Sequence, residues 1–164
     1  MWKVIQHNLE NARALAELDK RRPREGSLRR AVSTAYYALF QALCETCANS
    51  LVGWNRPWEV YTPIFRAVDH VRAAQVLRDS SFATTPALER LGHAFKELKA
   101  AREWADYNPE PSPSFVEGAE VAPFTRDATL AYVAMAEEAI EILTTLDEDT
   151  RLKLAIRLVT KSRK

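Results

Sequence analysis

Residues 31–44 read AVSTAYYALFQALC, fourteen positions without a charged side chain. Their period is helical: Leu28, Val32, Ala35, Tyr36, Leu39, Phe40 and Leu43 fall on one wide face. The opposite face carries Arg30, Ser33, Tyr37, Gln41 and Cys44, polar but mostly uncharged. A solvated face would carry Lys and Glu. This helix therefore reads as buried on both sides, once against a core and once against a partner or a polar site. Function is expected along it and on whatever packs against it.

The neighbouring segments read as helices too. Only four glycines occur in 164 residues, and no alternating Val/Ile/Thr-rich segment is bounded by turn dipeptides, so strands are not expected. A first helix over Val4–Arg22 would turn Ile5, Leu9, Ala12, Leu15 and Leu18 inward, and Pro23 and Gly26 would end it. The second begins at Ser27 as N-cap and runs to Leu51. A third over Trp58–Arg78, kinked at Pro63, would point Tyr61, Ile64, Phe65, Val68 and Val71 to the core. Thr85-Pro86 is an N-cap and N1 pair for a fourth, Pro86–Tyr107, stopped by Asn108-Pro109. Residues 108–123 hold four prolines and read as a mobile loop, followed by a helix over Thr125–Leu146 and a short one from Asp147 to Thr160. The expectation is a single all-α domain over residues 1–164. Its architecture is an antiparallel up-and-down bundle of four long helices plus one or two additional ones.

Charge is balanced, 23 Lys and Arg against 22 acids, so overall charge does not point to nucleic acid. Its distribution is uneven. Residues 20–30 hold Lys20, Arg21, Arg22, Arg24, Arg29 and Arg30 against Glu25 alone, and the tail 151–164 holds six basic residues and no acid. Arg24, Arg29 and Arg30 are weak candidates for contacting nucleic acid, against the blander alternative of a solvated helix junction. Cys44 and Cys47 form one CxxC with no second pair or matching His pair, which reads as two buried thiols and no metal site. No signal-peptide pattern is visible, and the uncharged run is shorter than the roughly 18–20 apolar residues of a membrane span. A soluble cytoplasmic protein without cofactor is expected.

The fourth helix holds the sharpest feature. Arg102 falls in the middle of an apolar face made by Leu88, Leu91, Phe95, Leu98 and Ala105, with Asp106 one turn later and Tyr107 at the helix end. A buried guanidinium is costly unless paired, and Asp106 at i+4 can pair with it. The pair either fixes the helix end or leaves Arg102 to bind a phosphate in a cleft. Ser33, Tyr37 and Gln41 form a polar line on the second helix that would face this pair if the two helices are neighbours; otherwise it is a hydrogen-bonded layer setting register. Trp104 is expected on the outer face, as a partner contact.

The combination of AVSTAYYALFQAL (31–43) with KAAREWADYNP (99–109) resembles the HEPN superfamily of small helical bundles. The likeness is to bacterial and archaeal members with an alanine-tyrosine-tyrosine motif on an early helix and an arginine-x-x-alanine-aspartate-tyrosine motif on a later one. It spans most of the chain, and DEDTRLKLAIRLVTKSRK (147–164) is similar to the ends of such proteins. The resemblance implies an up-and-down bundle and a homodimer. It also implies a metal-independent endoribonuclease activity of the toxin–antitoxin kind, with a nucleotidyltransferase antitoxin as partner. The family's catalytic arginine falls on Arg102, and the histidine that follows it in the family falls on Tyr107. A tyrosine with a pKa near 10 is a poor base at neutral pH. His70 and His93 are read as lying on outward faces. Arg102, Asp106 and Tyr107 thus stand as the candidate catalytic set, and Ser33, Tyr37 and Gln41 as the polar cleft lining. Two functions follow: an RNA- or nucleotide-binding bundle with weak ribonuclease activity, or a non-catalytic dimeric interaction module in which Arg102–Asp106 is structural.

Overall fold

Seven helices account for most of the chain in the computed structural model, which describes residues 2–19, 21–109, 115–116 and 119–160. They are α1 (Trp2–Glu17), α2 (Glu25–Leu51), α3 (Trp58–Ala67), α4 (His70–Arg78), α5 (Pro86–Tyr107), α6 (Arg126–Thr145) and α7 (Glu148–Val159). Two-residue strands β1 (Phe115–Val116) and β2 (Ala119–Glu120) pair antiparallel between α5 and α6. They lie within the segment read as a loop. The rest of that segment's interior, residues 110–114 and 117–118, and the basic residues Lys161, Arg163 and Lys164 lie outside the described residues.

The fold is organised around α2, which packs against α1, α3, α5, α6 and α7. Ala31, Ala35, Ala38, Ala42 and Ala48 are all buried along it, and their small side chains admit neighbours on several sides at once. The two-sided burial expected from the sequence is therefore met by the chain's own helices. One continuous apolar cluster joins α2 to residues of α1, α4, α5, α6 and α7. Cys44 and Cys47 sit in it as free, buried thiols, and burial pushes Cys44 up to about 12 and Cys47 higher still. Among the described residues, no helix is long and apolar enough to cross a membrane.

Capping residues set most boundaries. Thr85 accepts from the Leu88 amide and starts α5 with Pro86 at its first position. Thr125 and Asp147 do the same for α6 and α7. Four expectations are corrected. α1 ends at Glu17, and Leu18, beyond it, is exposed. α2 starts two residues early, so Ser27 lies inside the helix and Arg24 precedes it without a side-chain cap. The third helix is two helices: Val68 and Asp69 are extended, and the Asp69 carboxylate accepts from the Arg72 amide to start α4 afresh. Pro63 sits within α3, five residues before the break. This restart re-aims the segment, so that Val71 is exposed while His70 turns towards α2. Finally, Trp104 is buried, only 6% exposed, because α5 is covered by α2, α4, α6 and the β1–β2 pair.

Arg29 ties α2 to the end of α5. Its guanidinium donates to the carbonyls of Trp104, Ala105 and Asn108, at 3.2, 3.3 and 2.5 Å, and also to Glu25 at 2.8 Å. The last carbonyls of a helix lack partners within the helix, and a basic side chain is well suited to them electrostatically. Arg29 thereby fixes the turn that carries Asp106 and Tyr107.

Candidate functional site

The last two turns of α5 pack on the first half of α2, and Arg102 lies between them. It is 7% exposed. Its guanidinium carbon stands 5.0 Å from the ring centre of Tyr36, 5.4 Å from that of Tyr37 and 5.8 Å from that of Tyr107. Each such ring face attracts the cation by about 0.5–2 kcal/mol. Asp106 Oδ2 is 3.9 Å from Arg102 Nε, an ion pair longer than a hydrogen bond, and that oxygen also accepts from Ser33 Oγ at 3.1 Å. Arg102 Nε itself is buried with no hydrogen-bond partner. A buried N–H left unsatisfied costs about 1–3 kcal/mol, and such an atom in a native fold calls for an explanation, whether strain, an ordered water or a ligand.

The structure adds a residue that the sequence reading had turned away from the site. His70, at the start of α4, has Nδ1 2.6 Å from the Tyr36 hydroxyl, and its ring stacks on Phe40 with centroids 3.9 Å apart. Burial pushes its pKa below the usual 6.5, and the positive charges of Arg102 and Lys99 push the same way, against weaker opposing effects of Asp69 and Glu103. His70 is therefore neutral at pH 7. Burial also raises the Tyr36 phenol far above its ordinary value, against the opposing charge of Arg102, so it keeps its proton. We assign the buried hydroxyl as donor to Nδ1, which leaves the imidazole proton on Nε2. In this arrangement His70 offers a hydrogen-bond donor, not a base.

Two further charged groups complete the cluster. Lys99, buried one turn before Arg102, pairs through Nζ with Glu103 at 2.8 Å. Neither was singled out from the sequence, although the i,i+4 spacing was there to be read. Lys99 also borders a cavity of about 400 Å³ between α4 and α5, beside Val71 and Gln75. The cluster thus gathers Lys99, Arg102, Ser33 and a neutral imidazole N–H around one helix end.

The other expected residues are placed as follows. Ser33 and Tyr37 do face Arg102 and Asp106. Gln41 does not; its Oε1 accepts from Asn8 Nδ2 of α1 at 3.0 Å. At 3.6 residues per turn, each i+4 step drifts by about 40°, so two steps carry Gln41 off the Ser33 face. Tyr107 is 74% exposed and covers the outer side of the guanidinium. Arg29 is engaged with α5 as described. Arg24 pairs with Asp19 at 3.0 Å in solvent, and Arg30 is exposed. His93 is exposed, whereas His70 packs against Tyr36 and Phe40. Among the described residues no group of three His, Cys, Asp or Glu side chains is placed to hold a metal.

The neutral state of His70 predicts a pH effect on stability. Its folded pKa lies below 6.5, so the unfolded chain binds the proton that the folded chain refuses. The stabilisation is fully present above about 6.5 and declines as pH falls through 6.5 towards the folded value. Asp79 and Asp147, whose hydrogen bonds hold them below 3.8, act only at lower pH. Melting temperatures of wild type and His70→Gln between pH 5 and 8 should therefore converge as pH falls. Parallel curves would show that His70 is not held neutral.

No protein-family model matches this chain, and no curated protein or solved structure does either.

Proposed function

We propose that this chain is an RNA-binding helical bundle of the HEPN kind, in which Arg102 contacts a backbone phosphate. The observation that carries the reading is the orphaned Nε of a buried arginine, with the neutral imidazole of His70 nearby. A phosphodiester oxygen would satisfy the Nε donor and take a second hydrogen bond from a neutral imidazole N–H. Tyr37 and Tyr107, the partly and largely exposed rings over the guanidinium, would move aside or stack on a base.

Metal-independent cleavage asks more of the site. The 2′-hydroxyl must lose its proton to a base while the guanidinium stabilises the charge that develops on the phosphorane. With its Nδ1 taken by Tyr36, His70 has no lone pair to offer, which favours binding with at most weak turnover. A homodimer and a nucleotidyltransferase antitoxin as partner are part of the proposal through the resemblance alone, since Trp104 and the second face of α2 are covered within the chain. A second reading is favoured by the three rings and Asp106 that already surround the guanidinium: a structural ion pair in a non-catalytic dimeric interaction module.

Fluorescence anisotropy with a labelled single-stranded RNA in EDTA tests the first reading. Wild-type protein should bind with an affinity that falls as salt rises. Arg102→Lys keeps the charge but not the fork geometry, and should weaken binding about tenfold. Equal binding by wild type and Arg102→Lys would leave the structural reading standing. Light scattering on the same samples reports whether the chain is a dimer.

A further inference from the structure

The far end of α2 carries a second recessed site that the Arg102 cluster does not use. A groove of about 510 Å³ is lined by Glu45 and Asn49 of α2, Trp54 and Arg56 of the connection, and Trp58 and Tyr61 of α3. Tyr36 and Glu45 are nine residues apart, so the groove is about 14 Å from Arg102's nearest α2 neighbour along the axis and half a turn round it.

The local chain is built to make this groove. The Gly53 φ of +88° reverses the connection directly after α2, and a Cβ there would be strained in that conformation and would meet Asn55 Oδ1 at 3.2 Å. The reversal sets Trp54 and Trp58 over the end of α2. Both remain open to solvent, at 83% and 66% exposure, which is unusual for the largest apolar side chain. Trp58 is set edge-on to Tyr61 with centroids 5.6 Å apart. The Tyr61 hydroxyl donates to Asn49 Oδ1 at 3.0 Å, which turns the Asn49 amide so that its NH₂ faces away from Tyr61. Glu45 Oε2 is buried and has no hydrogen-bond partner. Burial raises the Glu45 pKa, against the opposing hydrogen bond from the Asn49 side chain, so only Oε2 is left without a donor.

We propose that this groove binds the guanine base of a nucleotide. The two indoles give its faces a stacking surface. With a small shift of the lining that uncovers its unpartnered Oε2, the Glu45 carboxylate accepts from the N1–H and N2–H₂ edge, which guanine alone among the common bases presents as two adjacent donors. Arg56 at the rim takes the phosphate. Arg56 is also what separates this ligand from an alkylated ammonium ion, for which aromatic rings and a carboxylate would otherwise suffice; a second cation in the groove would repel it. The same chemistry could come from a free mononucleotide or from a guanosine within single-stranded RNA. This inference does not rest on the Arg102 reading.

Calorimetric titration with guanosine 5′-monophosphate, adenosine 5′-monophosphate, tetramethylammonium and the trinucleotide UGU tests it. Guanosine monophosphate should bind, with adenosine monophosphate at least about tenfold weaker. Glu45→Gln should remove that preference, and Trp54→Ala should weaken binding about tenfold or more. Trp54 is so exposed that its loss leaves the fold intact, and circular dichroism checks this for both variants. Arg102→Lys should keep the preference for guanosine over adenosine monophosphate, which separates the base site from the phosphate site. Tighter binding of UGU than of the mononucleotide assigns the base to RNA, and the reverse order to a free nucleotide. No binding of guanosine monophosphate at millimolar concentration, equal binding of the adenosine form, or binding of tetramethylammonium alone overturns the proposal.

Discussion

Arg102→Ala should lower stability by about 3 kcal/mol, and Arg102→Met should restore most of it without restoring RNA binding. Removing one partner of a buried pair typically costs about 3–5 kcal/mol because the other charge is left uncompensated. Here the loss should sit at the low end. Asp106 is only partly buried and keeps the Ser33 hydroxyl, and the orphaned Nε leaves with the side chain. What alanine cannot replace is the volume between the Tyr36, Tyr37 and Tyr107 rings. Methionine fills most of it with polarisable atoms suited to ring faces. A pair kept only for structure is commonly matched by apolar residues of similar size. A stable Arg102→Met protein that no longer binds RNA would thus locate function in the guanidinium. A stable one that binds normally would remove the phosphate reading, whatever Arg102→Ala does to the melting temperature. Thermal denaturation and anisotropy on both variants supply the comparison.

Much of this site was legible from residue spacing. Arg102 and Asp106 are one helical turn apart, and an arginine in a Leu/Phe stripe must be buried, so both the pair and its depth follow from the sequence. Ser33 and Tyr37 followed from the uncharged second face of α2. Thr85-Pro86 and Asp147 marked helix starts because a short polar side chain before an apolar period has one obvious role. The failures share a cause, which is chain direction. Tyr61, Ile64, Phe65, Val68 and Val71 keep a helical period across residues 61–71, so one long helix satisfied the pattern. Nothing in that period shows that Asp69 takes the Arg72 amide and restarts the helix. The break turns Val71 outward and brings His70 to Tyr36, and a residue read as solvated becomes part of the site. Trp104 failed differently. Its face of α5 is rich in alanine, which reads as outer surface but equally allows close packing, and only tertiary contacts decide.

Gly92→Ala should destabilise the protein by about 2–3 kcal/mol, lowering the melting temperature by roughly 5–10 °C. From the isolated helix the opposite sign is expected, since alanine is favoured over glycine in a helix interior by about 1 kcal/mol. The close approach of α4 decides otherwise. A Cβ at Gly92 would lie 2.3 Å from the Leu77 carbonyl oxygen and 3.2 Å from its carbon. The obstructing atoms are backbone in the last turn of α4, so no rotamer change relieves them, and α4 must move off α5 as a unit. Leu77 is buried in the core, so that movement also opens apolar contacts. Gly26 provides the control: it lies in the first turn of α2 with nothing within 4 Å of its would-be Cβ, and Gly26→Ala should be neutral or stabilising by up to about 1 kcal/mol. The Gly92 effect should also reach the candidate site. His70 opens the helix whose last turn holds Leu77, so displacing α4 loosens the Tyr36 contact that helps hold the imidazole in its buried position. Its pKa should then rise towards 6.5, which an NMR titration of the ring protons would follow. A Gly92→Ala protein with unchanged melting temperature and unchanged His70 titration would mean that α4 is not seated on α5 as described, and the imidazole's place beside Arg102 would fall with it.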